Sequence, residues 1–82
     1  MGEIREHAGY EIIESIKFNE IEFVLGKRIK GHQQFVNWIC HNGTDYNLGI
    51  YTTRKNEAKK TLYNRARNEL SYRLKLLKEN EK

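Results

Sequence analysis

Apolar and polar positions divide the chain into four short runs with a period near two and one long run with a period near 3.6. Between Tyr10 and Phe18, the residues Tyr10, Ile12, Ile16 and Phe18 keep one phase and Glu14 interrupts it, a pattern that fits a strand or a helical turn. Asn19-Glu20 marks a tight turn. From Ile21 to Ile29, Ile21, Phe23 and Leu25 fall on one face, with Glu20, Glu22 and Val24 on the other. Gln34 to His41 and Tyr46 to Thr52 form the third and fourth runs. Asn42-Gly43 between them is a strong hairpin signal, because both residues tolerate positive φ. In the last run Ala58, Leu62, Ala66, Leu70, Leu74 and Leu77 share one helical stripe, with Thr52 or Thr53 as the cap.

The hairpin leads to a deduction about faces. A two-residue turn pairs residues whose numbers sum to 85, and a four-residue loop makes the sum 87. Either way, odd residues of the third run share a face with even residues of the fourth. Phe35, Asn37 and Ile39 with Tyr46, Leu48 and Ile50 form the more aliphatic face, which is expected to be core. Val36, Trp38 and Cys40 with Asn47, Gly49 and Tyr51 form the other. In the two-residue register Gly49 lies opposite Val36 and diagonal to Trp38, so the indole can lean over the glycine.

A helix from residue 54 to 78 or 79 rises about 39 Å, against about 17–20 Å for a typical strand. Its last turns must overhang the sheet. In a monomer this leaves Leu70, Leu74, Leu76 and Leu77 partly exposed, to pack on the N-terminal arm or on a second subunit. The expected fold is α+β: a three- or four-stranded antiparallel meander with one long C-terminal helix on one face. Strands are predicted at about 10–18, 21–29, 34–41 and 46–52, and the helix at about 54–78. Residues 1–9 are expected to form a flexible arm and 10–82 a single domain.

Composition narrows this picture. Eighty-two residues make one domain with a small core. Aromatics at 11% exclude a disordered tail. No run approaches the roughly 18 apolar residues of a membrane span. The polar start lacks a signal-peptide core, and Glu6 breaks the myristoylation pattern. A lone Cys40 forms no internal disulfide, so the cytoplasm is the expected location. The net charge of +4 argues against an acidic DNA mimic, and it is unevenly spread. Residues 1–25 carry six acids and two bases, whereas residues 26–82 carry thirteen bases and five acids, an asymmetry that fits an anionic partner for the second part or attraction between the two parts within the fold.

Three surfaces are candidates for binding. Trp38 and Tyr51 face away from the expected core, where they could stack on bases or form a protein-binding hot spot. Alternatively, the N-terminal arm with Tyr10 and Ile12 covers them as a second small core. Lys27, Arg28 and Lys30 lie between Gly26 and Gly31, where they could follow a phosphate backbone; the bland reading is a solvated loop. Lys60 and Arg67 line up with Lys78 on the outer helix face as auxiliary phosphate contacts, or as ordinary solvated surface. His32, Cys40, His41 and Asp45 show no metal-ligand spacing, and neighbours Cys40 and His41 point to opposite strand faces. No catalytic residue, metal or cofactor is expected.

The stretches Ile21-Glu22-Phe23-Val24-Leu25-Gly26-Lys27-Arg28, Phe35-Val36-Asn37-Trp38, Asp45-Tyr46-Asn47-Leu48-Gly49-Ile50-Tyr51 and Glu57-Ala58 are similar to small uncharacterised accessory proteins carried by phages and conjugative elements of Gram-positive bacteria. The resemblance spans residues 20–67 and implies a mobile-element accessory role. Products of this class include anti-CRISPR inhibitors. The order of strands and final helix also resembles the amino-terminal DNA-binding domain of conjugative-transposon integrases. The first expectation is therefore a non-enzymatic module that binds nucleic acid or a nucleoprotein complex. The second is an inhibitor of a host nucleic-acid-targeting defence system, docking through the same surface or through Glu11, Glu14, Glu20 and Glu22. The third is a homodimer through Leu70, Leu74 and Leu77. No membrane partner is expected.

Overall fold

The computed structural model describes residues 5–80. Strands β1 (Glu6–His7), β2 (Tyr10–Phe18), β3 (Ile21–Arg28), β4 (Phe35–His41) and β5 (Asp45–Thr52) form one antiparallel sheet in the order β1-β2-β3-β4-β5, followed by helix α1 (Lys55–Asn80). The α+β meander with a long final helix is thus the fold, but the sheet has five strands rather than three or four. The extra strand comes from the expected arm. β1 pairs with β2, Ile12 N donates to the Arg5 carbonyl (2.8 Å) and Ile29 N donates to the Gly9 carbonyl (3.1 Å). From Arg5 onward the chain is docked; the rest of the expected arm, residues 1–4, lies outside the described residues.

Two bulges decide which side chains face which way. In β2 the register with β3 shifts between Ile12 and Glu14. One extra residue reverses the alternation. Tyr10 and Ile12 therefore pack on the side away from the helix, whereas Ile16 and Phe18 pack beneath it. The phase break at Glu14 is a bulge in a strand, not a helical turn. In the β4–β5 hairpin the paired numbers sum to 86 at His41↔Asp45 and Cys40↔Tyr46, and to 87 at Asn37↔Ile50 and Val36↔Tyr51. Neither expected register holds at the turn, which spans three residues. Leu48, at φ 54°, takes up the difference. Tyr46 consequently joins Trp38 and Cys40, not the helix-side core. Gly49 still lies under the indole: a Cβ there would sit 3.0 Å from Trp38 Nε1.

The sheet buries both faces. Against α1 lie Phe23, Leu25 and Phe35 with Ala58, Leu62 and Ala66; on the opposite side Val24, Val36, Trp38 and Cys40 gather with Tyr10. Leu48 and Ile50 are exposed rather than core, because β5 is an edge strand. Asn37 is buried on the helix side and ties sheet to helix, its Nδ2 donating to the Ala58 carbonyl at 3.0 Å. At the other end of the hairpin the Thr52 hydroxyl accepts from Arg54 N (3.2 Å), just before the helix begins.

β3 is buried from Glu22 to Gly26. A Cβ on Gly26 would lie 3.1 Å from both Tyr10 Cβ and Val36 Cγ1. Both neighbours are held in paired strands, so Gly26→Ala is expected to cost about 1–3 kcal/mol through overpacking. Urea unfolding should show a lower midpoint at unchanged slope; an unchanged midpoint would mean that Tyr10 and Val36 part freely.

Each four-residue step along α1 advances about 40° round the axis. From Ala58 to Leu74 the stripe rolls off the sheet toward β2, where the Tyr63 hydroxyl donates to Glu14. The sheet also ends, and the molecule extends to 54 Å. Both effects leave Leu70, Leu74, Leu76 and Leu77 exposed, as the length comparison requires.

Candidate binding surface

Trp38 and Tyr51 both lie on the sheet face away from α1, but only Tyr51 is open. It is 54% exposed, against 5% for Trp38. Trp38 is therefore not the exposed stacking ring expected from the sequence. His7 stacks on Tyr46 (centroids 4.1 Å apart) and meets Trp38 edge-on at 5.0 Å, while Tyr10 meets it edge-on at 5.6 Å. Docked segment 5–10, with Tyr10 and Ile12, thus covers Trp38 in a second core as the alternative reading had it, but leaves Tyr51 open. Tyr51 keeps company with Tyr10, whose ring centre is 6.1 Å away.

A charged clasp holds this segment down. Arg5 Nη1 donates to Glu22 Oε2 at 2.8 Å and Arg5 Nε to the Tyr46 hydroxyl at 2.8 Å. The guanidinium also reaches Cys40 Sγ at 3.4 Å. The hydrogen bond from Arg5 holds the Glu22 carboxyl below its ordinary value, against the opposing effect of burial. The same bond raises Arg5. Sequence reasoning missed Arg5, His7 and Tyr46. One signal was available: Glu22 shares its face with Val24, and a carboxylate on an otherwise buried face needs a cation. Because Glu22 is buried and Glu14 engages Tyr63, the acidic segment forms no continuous surface.

The bases converge at one end of the molecule. Lys27 pairs with Phe35, and Phe35 with Thr52, in one row across three strands. At the usual strand spacing the Lys27 and Thr52 backbones stand about 10 Å apart. The β3–β4 loop carrying Lys30 and the start of α1 therefore lie at the same end of the sheet. Lys27, Arg28, Lys30, Arg54, Lys55 and Lys60 are all exposed there. By strand alternation Lys27 projects on the helix side and Arg28 on the Tyr51 side. Gly31, at φ 90°, turns the loop back so that the Arg28 guanidinium passes 3.5 Å from where its Cβ would be. Arg28 and Lys30 line an open cavity of about 580 Å³ with Tyr10 and Gln34, which are themselves joined by a 2.8 Å hydrogen bond from the tyrosine hydroxyl. Glu57 offsets part of the charge, its carboxylate 4.0 Å from Lys60 Nζ. The N-terminal pole of α1 adds positive potential.

The fold therefore places Lys27, Arg28, Lys30 and Lys60 at one end of the molecule, with Lys27 on the helix side of the sheet and Arg28 and Tyr51 on the other. It sets Arg67 apart, about 10 Å further along the helix from Lys60. Arg54 and Lys55 join the group only through tertiary structure; in sequence they read as the start of a helix. Leu70, Leu74 and Leu77 are exposed, as are Arg67 and Lys78 on the same flank of α1. Among the described residues no group of His, Cys, Asp and Glu could hold a metal ion, and no helix is long and apolar enough to cross a membrane.

Comparisons with protein-family models, with curated proteins and with solved structures each found no match to this chain.

Proposed function

We propose that this protein is a non-enzymatic module that binds nucleic acid through its basic end. The observation that carries the reading is the placing of the β3–β4 loop and the start of α1 at one end of the sheet, which gives that end six exposed bases from two distant parts of the sequence. Lys27, Arg28, Lys30, Arg54, Lys55 and Lys60 are positioned to follow phosphates, a mode that fixes position without reading sequence. Tyr51 supplies an exposed ring for a base, and Arg67 a further phosphate contact along the helix. This fits the mobile-element accessory role implied by the resemblance above.

Fluorescence anisotropy with single- and double-stranded oligonucleotides tests the reading. With about six phosphate contacts, affinity should fall on the order of 1,000-fold between 50 and 200 mM salt. The triple variant Lys27→Ala, Arg28→Ala, Lys30→Ala should flatten that dependence by about half. Salt-independent binding, no binding to either oligonucleotide, or an unaltered slope in the triple variant each refutes the proposal.

A further inference from the structure

Between α1 and β5 runs a groove of about 410 Å³, floored by Ile21, Phe23 and Ile39 and edged by Leu48, which is 69% exposed. Arg65 stands at its wall, half-buried. Its Nη2 donates to the Leu48 carbonyl (2.9 Å) and its Nη1 to the Asn37 carbonyl (3.4 Å). Both acceptors are neutral, and among the described residues no carboxylate pairs with it. Desolvation lowers the Arg65 guanidinium from its ordinary value, so burial opposes its charge. Glu69 on the same wall is already paired with Arg73 (2.7 Å), so the half-buried Arg65 beside this mainly apolar groove suits an occupant carrying an apolar side chain and a carboxylate close together.

The chain contains such an occupant. Arg65, Asn68, Tyr72, Leu76 and Glu79 fall within about 80° of one another round α1, on the groove side. Turned end for end about Tyr72, this line is complementary to itself. Arg65 then comes level with Glu79, Glu69 with Lys75, and Asn68 with Leu76. We propose that the α1 overhangs of two copies pack antiparallel across this face, centred on Tyr72, with Leu76 of each copy over the groove of the other and Glu79 on Arg65. Two-fold symmetry makes every contact twice. The overhang gives the reach, since Glu79 lies about 10 Å beyond Tyr72.

The opposite flank, with Leu70, Leu74 and Leu77, is less suited to a second copy. Arg67 and Lys78 border it, and no described acid shares that line, so two copies would oppose like charges. The seam accordingly moves from the leucine stripe expected at the sequence level to the Tyr72 face.

Sedimentation velocity over a wide concentration range tests the proposal. The full chain should reach a dimeric mass. Glu79→Lys, on the overhang clear of the sheet, should raise the dissociation constant about tenfold by breaking two symmetric pairs. Arg65→Glu alone should weaken the dimer, and Arg65→Glu combined with Glu79→Arg should recover it. Circular dichroism verifies that each variant folds. A monomeric mass up to about 1 mM overturns the proposal. A dimer insensitive to Glu79→Lys but lost in Leu74→Ser also overturns it, by placing the seam on the other flank.

Discussion

Leu62→Ala should destabilise the protein by about 3–5 kcal/mol, a large part of what a domain of this size possesses. Leu62 is fully buried and is the one large side chain on the helix face that meets Phe23, Leu25 and Phe35. Its neighbours on that face, Ala58 and Ala66, allow close approach of helix and sheet but bury little area themselves. Truncation leaves a cavity between two regular elements that cannot readily collapse, so the cavity adds to the lost transfer energy. Leu74→Ala on the same helix is the matched comparison. Leu74 is 51% exposed beyond the sheet, and its loss should shift stability by no more than about 0.5 kcal/mol in the monomer. Urea unfolding at low protein concentration measures both. Equal effects would contradict the packing described above.

Arg5→Ala should loosen the other side of the sheet. It strands the Glu22 carboxylate beneath the aromatic cluster and removes the tie between segment 5–10 and Tyr46. Breaking a fully buried pair costs about 3–5 kcal/mol. The Arg5 side chain is 34% exposed, so solvent screening reduces the expected loss to about 1–2 kcal/mol. The effect has a pH signature. Glu22 is held below its ordinary value of 4.5, so its contribution is present above that value and is lost as pH falls through the lower folded value. Arg5 stays charged throughout and adds no slope there. Wild type should therefore lose this increment on acidification below about pH 4.5 and Arg5→Ala should not, narrowing the gap between them. Trp38 fluorescence should shift to the red in the variant as water reaches the indole. A parallel pH dependence with unchanged emission would show that Arg5 is not the clasp.

Local patterns made part of this protein readable in advance. The alternation of Ile21, Phe23 and Leu25, the Asn42-Gly43 turn and the Ala58–Leu62–Ala66 spacing are properties of neighbours in sequence, and each led to the right element. Short irregular features carry no such periodicity. β1 has two residues, too few for a pattern, and was absorbed into an arm expected to be loose. The bulge at Leu48 moved Tyr46 across the sheet, because one inserted residue reverses every side chain on one side of it. At Glu14 the interruption was visible, but its two readings, bulge or helical turn, differ only in what the neighbouring strand does.

The candidate surface divides in the same way. Lys27, Arg28 and Lys30 are close in sequence and stand out as a group, whereas Arg54 and Lys55 reach the same end of the sheet only because Phe35 pairs with both Lys27 and Thr52. The sequence by itself determined the β3, β4 and helix parts of the helix-side core and the overhang, though not the β5 part, since periodicity identifies the faces of unbroken runs and rise per residue makes a 26-residue helix outrun a strand of seven to nine. Only the tertiary structure decided the fate of the opposite face. Whether Trp38 meets water or a second core depends on Arg5 finding Glu22 and on His7 finding Tyr46, contacts that span 17 and 39 positions along the chain. No local pattern encodes such a pairing: its free energy exists only after two bulges have turned β2 and β5 to bring Tyr10 and Tyr46 to the same side.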